Sequence, residues 1–334
     1  MKQNMVFAFA LAIVMLSACR KEDDIFDGPS LNDIYGEFSF IQEFDIVDRS
    51  VDFGAGETTA FTAEFSKNMQ WKVQITGLNT GAVKIIEGTS NVLDVTNTLW
   101  NGSTTTLPMF QAEMCAVMLT FTTESDTIYD TLEVISPKFN AGLLISDFES
   151  GWNPGWNSFV QSGADMSFTI TEDIQAAQGN KYYDMGGAVD WDWLIGLVNI
   201  PATAYGAPTF ALNSNPANVY FNVMLYNPPG ITNSLVLFQF REDDNEDGVF
   251  TEGEEDMFSI EVRMTQPGWQ LISSQYQELP TLVNGAASDP LGNGIYEPHK
   301  LFQVSVLMLA DPTSGYSQAF MDYMIFTEGN ALEP

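Results

Sequence analysis

Apolar and polar positions alternate with a period of two along most of the chain. Phe61, Ala63 and Phe65 alternate with Thr62 and Glu64, and Trp71, Val73 and Ile75 with Lys72 and Gln74. Such spacing predicts strands that lay one face on a core. From Tyr35 to about Ile135 the strands are short and broken by turns such as Gly77-Leu78-Asn79-Thr80-Gly81 and Asn101-Gly102-Ser103. A stretch of about a hundred residues of this kind, with no helical run, predicts a β-sandwich with Trp71 in its core. Ser136 to Gly142 marks a boundary. Beyond it, Phe258, Ile260, Val262 and Met264 alternate, as do Phe302, Val304, Val306 and Met308. Val219 to Tyr226 and Leu235 to Phe240 are mostly apolar and predict strands buried on both faces. About 185 residues of such strands suit a jelly roll.

The first residues carry a different signal. Lys2 precedes an apolar run, Val6 to Leu16, that is too short to span a bilayer. Leu16-Ser17-Ala18-Cys19 resembles the lipobox of bacterial lipoproteins, in which the chain is cut before a cysteine that is then acylated. Arg20-Lys21-Glu22-Asp23-Asp24 resembles the acidic export signal of Bacteroidota-type surface lipoproteins. The expected organisation is a signal peptide (1–18), a lipidated Cys19 with a polar tether (19–34), a sandwich (35–138) and a jelly roll (143–329). It would sit on the outer membrane, at the cell surface, touching the bilayer through the lipid alone. With Cys19 acylated, Cys115 is the remaining thiol, and its apolar setting predicts a buried core residue.

Composition narrows the partners. The chain has 334 residues, 12 Lys and Arg against 44 Asp and Glu, and a formal charge of −32. Nucleic acid is excluded as a partner, because phosphate binding depends on Lys and Arg. A basic patch for anionic lipid is excluded on the same ground. Cations and neutral ligands remain.

The acidic residues are not spread evenly. Asp243-Asp244-Asn245-Glu246-Asp247-Gly248-Val249-Phe250-Thr251-Glu252-Gly253-Glu254 satisfies D-x-[DN]-x-[DN]-G-x₅-E. Calcium takes six to eight hard oxygens, and this spacing offers them from Asp243, Asn245, Asp247, the Val249 carbonyl, Thr251 and a bidentate Glu254. Gly248 permits the sharp turn. Nine acidic residues lie from Glu242 to Asp256, and a divalent cation would relieve their mutual repulsion. The flanking runs read as strands, so the expectation is a calcium loop at the tip of a β-hairpin, with Ca²⁺ as the cofactor.

Two family resemblances add to this. Thr58 to Val134 resembles a bacterial Ig-like domain, without the Cys…Trp…Cys signature of antibody domains. Leu144-Ile145-Ser146-Asp147-Phe148-Glu149 followed by Trp152, then Gly268-Trp269-Gln270-Leu271-Ile272, then Ala319-Phe320-Met321-Asp322-Tyr323-Met324-Ile325-Phe326 resembles the galactose-binding-like jelly roll of many carbohydrate-binding modules. The fold class implied is all-β, an Ig-like sandwich followed by a galactose-binding-like jelly roll. That resemblance also implies a structural calcium near the first and last strands, carried by Glu149 and Asp322, with Asp147 beside them.

A carbohydrate ligand needs aromatic faces for its C–H surfaces and polar groups for its hydroxyls. Trp152 and Trp156, in Trp152-Asn153-Pro154-Gly155-Trp156-Asn157, and Trp191 and Trp193, in Asp190-Trp191-Asp192-Trp193, offer that mixture, with Tyr182 and Tyr183 nearby. The G-x-S-x-G, H-E-x-x-H and Walker A patterns are missing, and His299 is the single histidine. The expected function is non-catalytic binding of a polysaccharide or oligosaccharide. Two rival readings are a structural lipoprotein that contacts an outer-membrane protein partner and a glycoside hydrolase with an unrecognised carboxylate pair.

Overall fold

The computed structural model describes residues 36–190, 193–232, 234–283, 286–310 and 315–334. Cys19, the tether and Trp191 lie outside these residues. The chain is all-β, with one short helix, α1 (Val95–Thr98), and a few single turns among the described residues.

Residues 40–136 supply one six-stranded sheet: β1 (Phe40–Ile46), β2 (Ser50–Asp52), β3 (Phe61–Gly77), β4 (Val83–Leu93), β5 (Glu113–Phe121) and β6 (Thr127–Ser136), in the order β1-β3-β5-β6-β2 with β4 on the other edge of β3. The 17-residue β3 organises it. Its first residues pair with β1 and its last with β5, so the strand belongs to both layers of a sandwich. Its odd-numbered side chains, Phe61 to Ile75 with the single break at Lys67, point inward and are buried, as the alternation predicts. Trp71, Trp100, Phe53 and Phe110 fill the interior with Cys115, whose thiol burial pushes up to about 12. Each large apolar side chain so enclosed contributes about 2 kcal/mol.

The second unit is a jelly roll of two antiparallel sheets. The first holds β7 (Leu143–Ser146), β9 (Asp165–Thr171), β10 (Tyr182–Ala188), β12 (Val219–Asn227), β15 (Gly268–Gln275) and β19 (Tyr316–Glu328), ordered β15-β12-β19-β10-β9 with β7 on β19. The second holds β8 (Asn157–Val160), β11 (Leu194–Pro201), β13 (Leu235–Glu242), β14 (Met257–Arg263) and β18 (Leu301–Leu309), ordered β14-β13-β18-β11-β8. Phe221, Leu225, Phe238, Phe240, Val306 and Phe326 lie in the core between them. A two-strand hairpin, β16 (Leu282–Val283) with β17 (Ala286–Ala287), stands apart.

The two unbroken apolar runs are buried on both faces for separate reasons. On β12, Met224 faces outward and is covered by Met109 of the first unit and Leu332 of the C-terminal segment. On β13, Leu235 and Leu237 face outward and pack with Leu307, Leu309, Trp193 and Leu282. The two units are also joined by backbone bonds, from Thr104 N–H to the Pro334 carbonyl (2.7 Å) and from Met109 N–H to the Ala177 carbonyl (2.8 Å).

Candidate functional site

β13 and β14 pair from Leu235–Arg263 to Arg241–Met257, and the acidic stretch connects them as a hairpin tip. Its first half folds around its own carboxylates. Asp243 Oδ1 accepts the Asp247 N–H (3.0 Å) and Oδ2 the Gly248 N–H (2.8 Å). Asn245 Oδ1 also accepts the Asp247 N–H (2.9 Å), and Asp247 Oδ1 accepts the Val249 N–H (2.8 Å). Gly248 takes a left-handed φ of 79°, which costs glycine little and other residues more. Carboxylate oxygens of Asp243, Asp247 and Glu255 lie within 4.8 Å of one another.

The carboxylate that lies with Asp243 and Asp247 is Glu255, one residue beyond the Glu254 that the spacing names. Glu254 is exposed, whereas Glu255 is fully buried. In a helical calcium loop the last ligand is turned inward by the exiting helix. Here the N–H groups of Glu254 and Glu255 both bond the Thr251 carbonyl (3.1 and 3.2 Å), and the pleat of the following strand selects the inward residue. Glu255 Oε2 accepts the Thr251 N–H (2.8 Å), while Oε1 is buried without a partner. Burial pushes its pKa up. Val249 has an exposed side chain and Thr251 a half-buried one.

The intervening acids point the other way. Oxygens of Glu242, Asp244 and Asp256 form a second group within 4.8 Å. Glu242 Oε1 accepts the Tyr276 hydroxyl (2.9 Å) and the Glu297 N–H (2.8 Å), and Oε2 has no partner. Asp256 accepts the N–H groups of Gly292 (2.9 Å) and Gly294 (2.7 Å). Both Asp244 oxygens are buried without partners; the Asp256 N–H approaches without reaching hydrogen-bond geometry. Burial pushes the Glu242 carboxyl up to about 8 and Asp244 above its ordinary value. The sequence pattern does not name this group. Its signal was the parity of an extended chain, which sends 242 and 244 to one side and 243 to the other.

Glu149 and Asp322 meet on a different loop. Glu149 Oε1 accepts the N–H groups of Asn180 and Lys181 (2.7 Å each), and Asp322 Oδ2 that of Gln178 (2.8 Å). Burial raises the Asp322 pKa well above the carboxylate range, and the Glu149 charge adds to it. Among the described residues no third carboxylate, Cys or His joins them. They grip the 178–181 loop from two sides, and Asp147 Oδ1 accepts the Glu149 N–H (3.2 Å).

The aromatic candidates separate by depth. Trp156 is a core residue, 6% exposed, with Nε1 donating to the Tyr205 hydroxyl (3.2 Å). Trp152 is half-buried against Trp156, Phe168 and Tyr183, beside a surface depression of about 360 Å³. Trp193 is half-buried on the outer face of the five-stranded sheet. Tyr182 is 1% exposed and forms the floor of a patch that sequence reasoning did not single out as a ligand face. His299 is exposed in a turn before β18.

That patch is a row across the outer face of the six-stranded sheet. Asp184 pairs with Phe320, Phe320 with Tyr226, and Tyr226 with Trp269, on four adjacent strands. Tyr226 stacks on Phe320 at 5.3 Å and 10°, and Trp269 meets Tyr226 edge-on at 5.2 Å. Tyr182 supports Phe320 at 4.8 Å. Trp269 and Tyr226 are half-buried, as Trp152 and Trp193 are, and Trp269 Nε1 donates to the Gln175 carbonyl (2.8 Å). At the other end Gln318 Nε2 donates to Asp184 Oδ1 (2.9 Å).

No protein-family model and no curated protein matches the chain. Several solved structures are similar in part. One, described under promiscuous specificity of carbohydrate-binding modules from the β-sandwich superfamily, is 12% identical, with 88% of this chain and 99% of that chain covered and a TM-score of 0.38. The family 11 carbohydrate-binding module of Clostridium thermocellum, in complex with a β-1,3-1,4-mixed-linked tetrasaccharide, is 16% identical over 59% of this chain and 100% of that one, TM-score 0.38. SGBP-B from a complex xyloglucan utilization locus in Bacteroides uniformis is 11% identical over 87% and 73%, TM-score 0.34.

Proposed function

We propose that the chain is a non-catalytic carbohydrate-binding protein, lipid-anchored through Cys19 at the outer membrane with its binding face outward, and stabilised by calcium at the hairpin tip. The observation that carries the reading is the row Asp184–Phe320–Tyr226–Trp269. It sets the half-buried rings of Tyr226 and Trp269, with Phe320 beneath them, next to a carboxylate and an amide on the outer face of one sheet. Sugar C–H faces stack on such rings, while the polar end addresses hydroxyls. A row of side chains running across four adjacent strands suits an extended polysaccharide better than an enclosed small ligand. At the tip, Asp243, Asp247 and Glu255 supply hard oxygens for calcium, with Asn245 beside them.

The test is retardation of the chain from residue 20 onward in native gels cast with a panel of polysaccharides. One polysaccharide class should retard the wild type and not a folded Tyr226→Ala/Trp269→Ala variant, with Trp193→Ala behaving as wild type. Loss in Trp193→Ala alone would move the binding face to the five-stranded sheet. No retardation across the panel would sink the carbohydrate reading.

A further inference from the structure

The acidic hairpin tip is bounded by two separate carboxylate groups. The one formed by Asp243, Asp247 and Glu255 belongs to the tip alone. The other joins the tip to a distant segment: Glu242 and Asp256 between them hold the N–H groups of Gly292, Gly294 and Glu297. Gly292 comes so close that a Cβ there would lie 2.6 Å from the Asp256 nitrogen. The segment is thus held by two carboxylates, Glu242 and Asp256.

We propose that Glu242, Asp244 and Asp256 form a second site for a hard divalent cation such as calcium, one that clamps the hairpin tip to the 292–297 segment. Glu242 is fully buried, and its Oε2 accepts no hydrogen bond. It lies in the group whose oxygens are all within 4.8 Å of one another. Both Asp244 oxygens are likewise buried and unpartnered. The nearby ammonium, Lys300, is already paired with Glu297 Oε2 at 3.0 Å, so one charge that is spoken for faces three carboxylates. An unpaired buried carboxylate is among the most costly groups a fold can hold, and an ion is the partner that satisfies several at once. The all-oxygen donor set selects a hard cation over zinc or copper.

This site stands apart from the one proposed at Asp243, Asp247 and Glu255, and the two are tested separately. Calcium added to the metal-stripped chain is counted by native mass spectrometry and by titration calorimetry, with folding checked by circular dichroism. The wild type should take two ions. Asp244→Asn and Glu242→Gln should each take one, as should Asp247→Asn, and Asp244→Asn with Asp247→Asn none. One ion in the wild type, kept by Asp244→Asn and lost by Asp247→Asn, would overturn the second site and leave the first. One ion lost by Asp244→Asn and kept by Asp247→Asn would do the reverse. No ion in the wild type would overturn both.

Discussion

The two carboxylate groups at the hairpin tip come from the same acidic stretch and differ in how they are built. Asp243 and Asp247 wrap the loop around themselves, taking N–H groups from residues four, five and two positions on. Their geometry is local, so a spacing rule finds it. In the other group, Glu242 and Asp256 bond a segment 36 to 55 residues later in the chain, which no spacing rule can encode. Local carboxylates are largely satisfied by their own loop. The long-range group keeps buried oxygens without donors, so it is the more demanding of a cation and the more consequential for the tertiary structure.

Removing divalent ions is the largest test of this contrast. A ligand at 10–100 times its dissociation constant stabilises by about 1.4–2.7 kcal/mol per site, and in a domain of this size 1 kcal/mol moves Tm by about 2–4 °C. With both sites filled, chelation should lower Tm by roughly 6–22 °C in a calorimetric scan. Next comes Asp256→Ala. It removes the acceptor of the Gly292 and Gly294 N–H groups and should cost about 2–4 kcal/mol even in chelator, whereas Asp247→Ala in chelator should cost less than about 1 kcal/mol. Urea melts of the two variants check the ordering. Glu255→Gln should weaken calcium binding at the tip about tenfold, equivalent to about 1.4 kcal/mol, while Glu254→Gln changes it less than twofold by calorimetry. The smallest effect is expected from Glu242→Gln without metal. An amide can keep the two hydrogen bonds at Oε1 while removing the unpartnered oxygen, so stability should stay unchanged or rise by about 1 kcal/mol, and a lower midpoint in chelated urea melts would mean that the carboxyl group itself is needed there.

The all-β character was legible because one-sided strands write their pleat into the sequence, as β3 does from Phe61 to Ile75. The runs around Met224 and Leu237 were legible as doubly buried, although what covers them was not: Met109, Leu332, Trp193 and Leu282 are remote in sequence. At the tip, the turn at Gly248 and the approach of Asp243 to Asp247 followed from spacing. Glu255 displaced Glu254 because a turn and a strand, not a helix, follow the loop. Aromatic candidates fared unevenly for one reason, that adjacency along the chain does not report depth. Trp156 neighbours polar residues and is in the core. Trp269, Tyr226 and Phe320 lie on separate strands and meet only through register, although Trp269 and Phe320 stood inside the segments that resemble a galactose-binding-like jelly roll.

Interleaving two carboxylate groups along one backbone segment has a consequence for proteolysis. A protease must draw several residues of extended chain into its cleft, and a surface loop such as Asn245–Gly253 can supply them only by opening locally. Held by charge from one side, the segment can still peel toward the other. Held from both, at Asp243 and at Asp244, it has no free direction in which to lift away. Divalent ions at the tip would thus decide how long the loop survives a protease, and cleavage there would separate β13 from β14 while leaving the aromatic row on the opposite sheet intact.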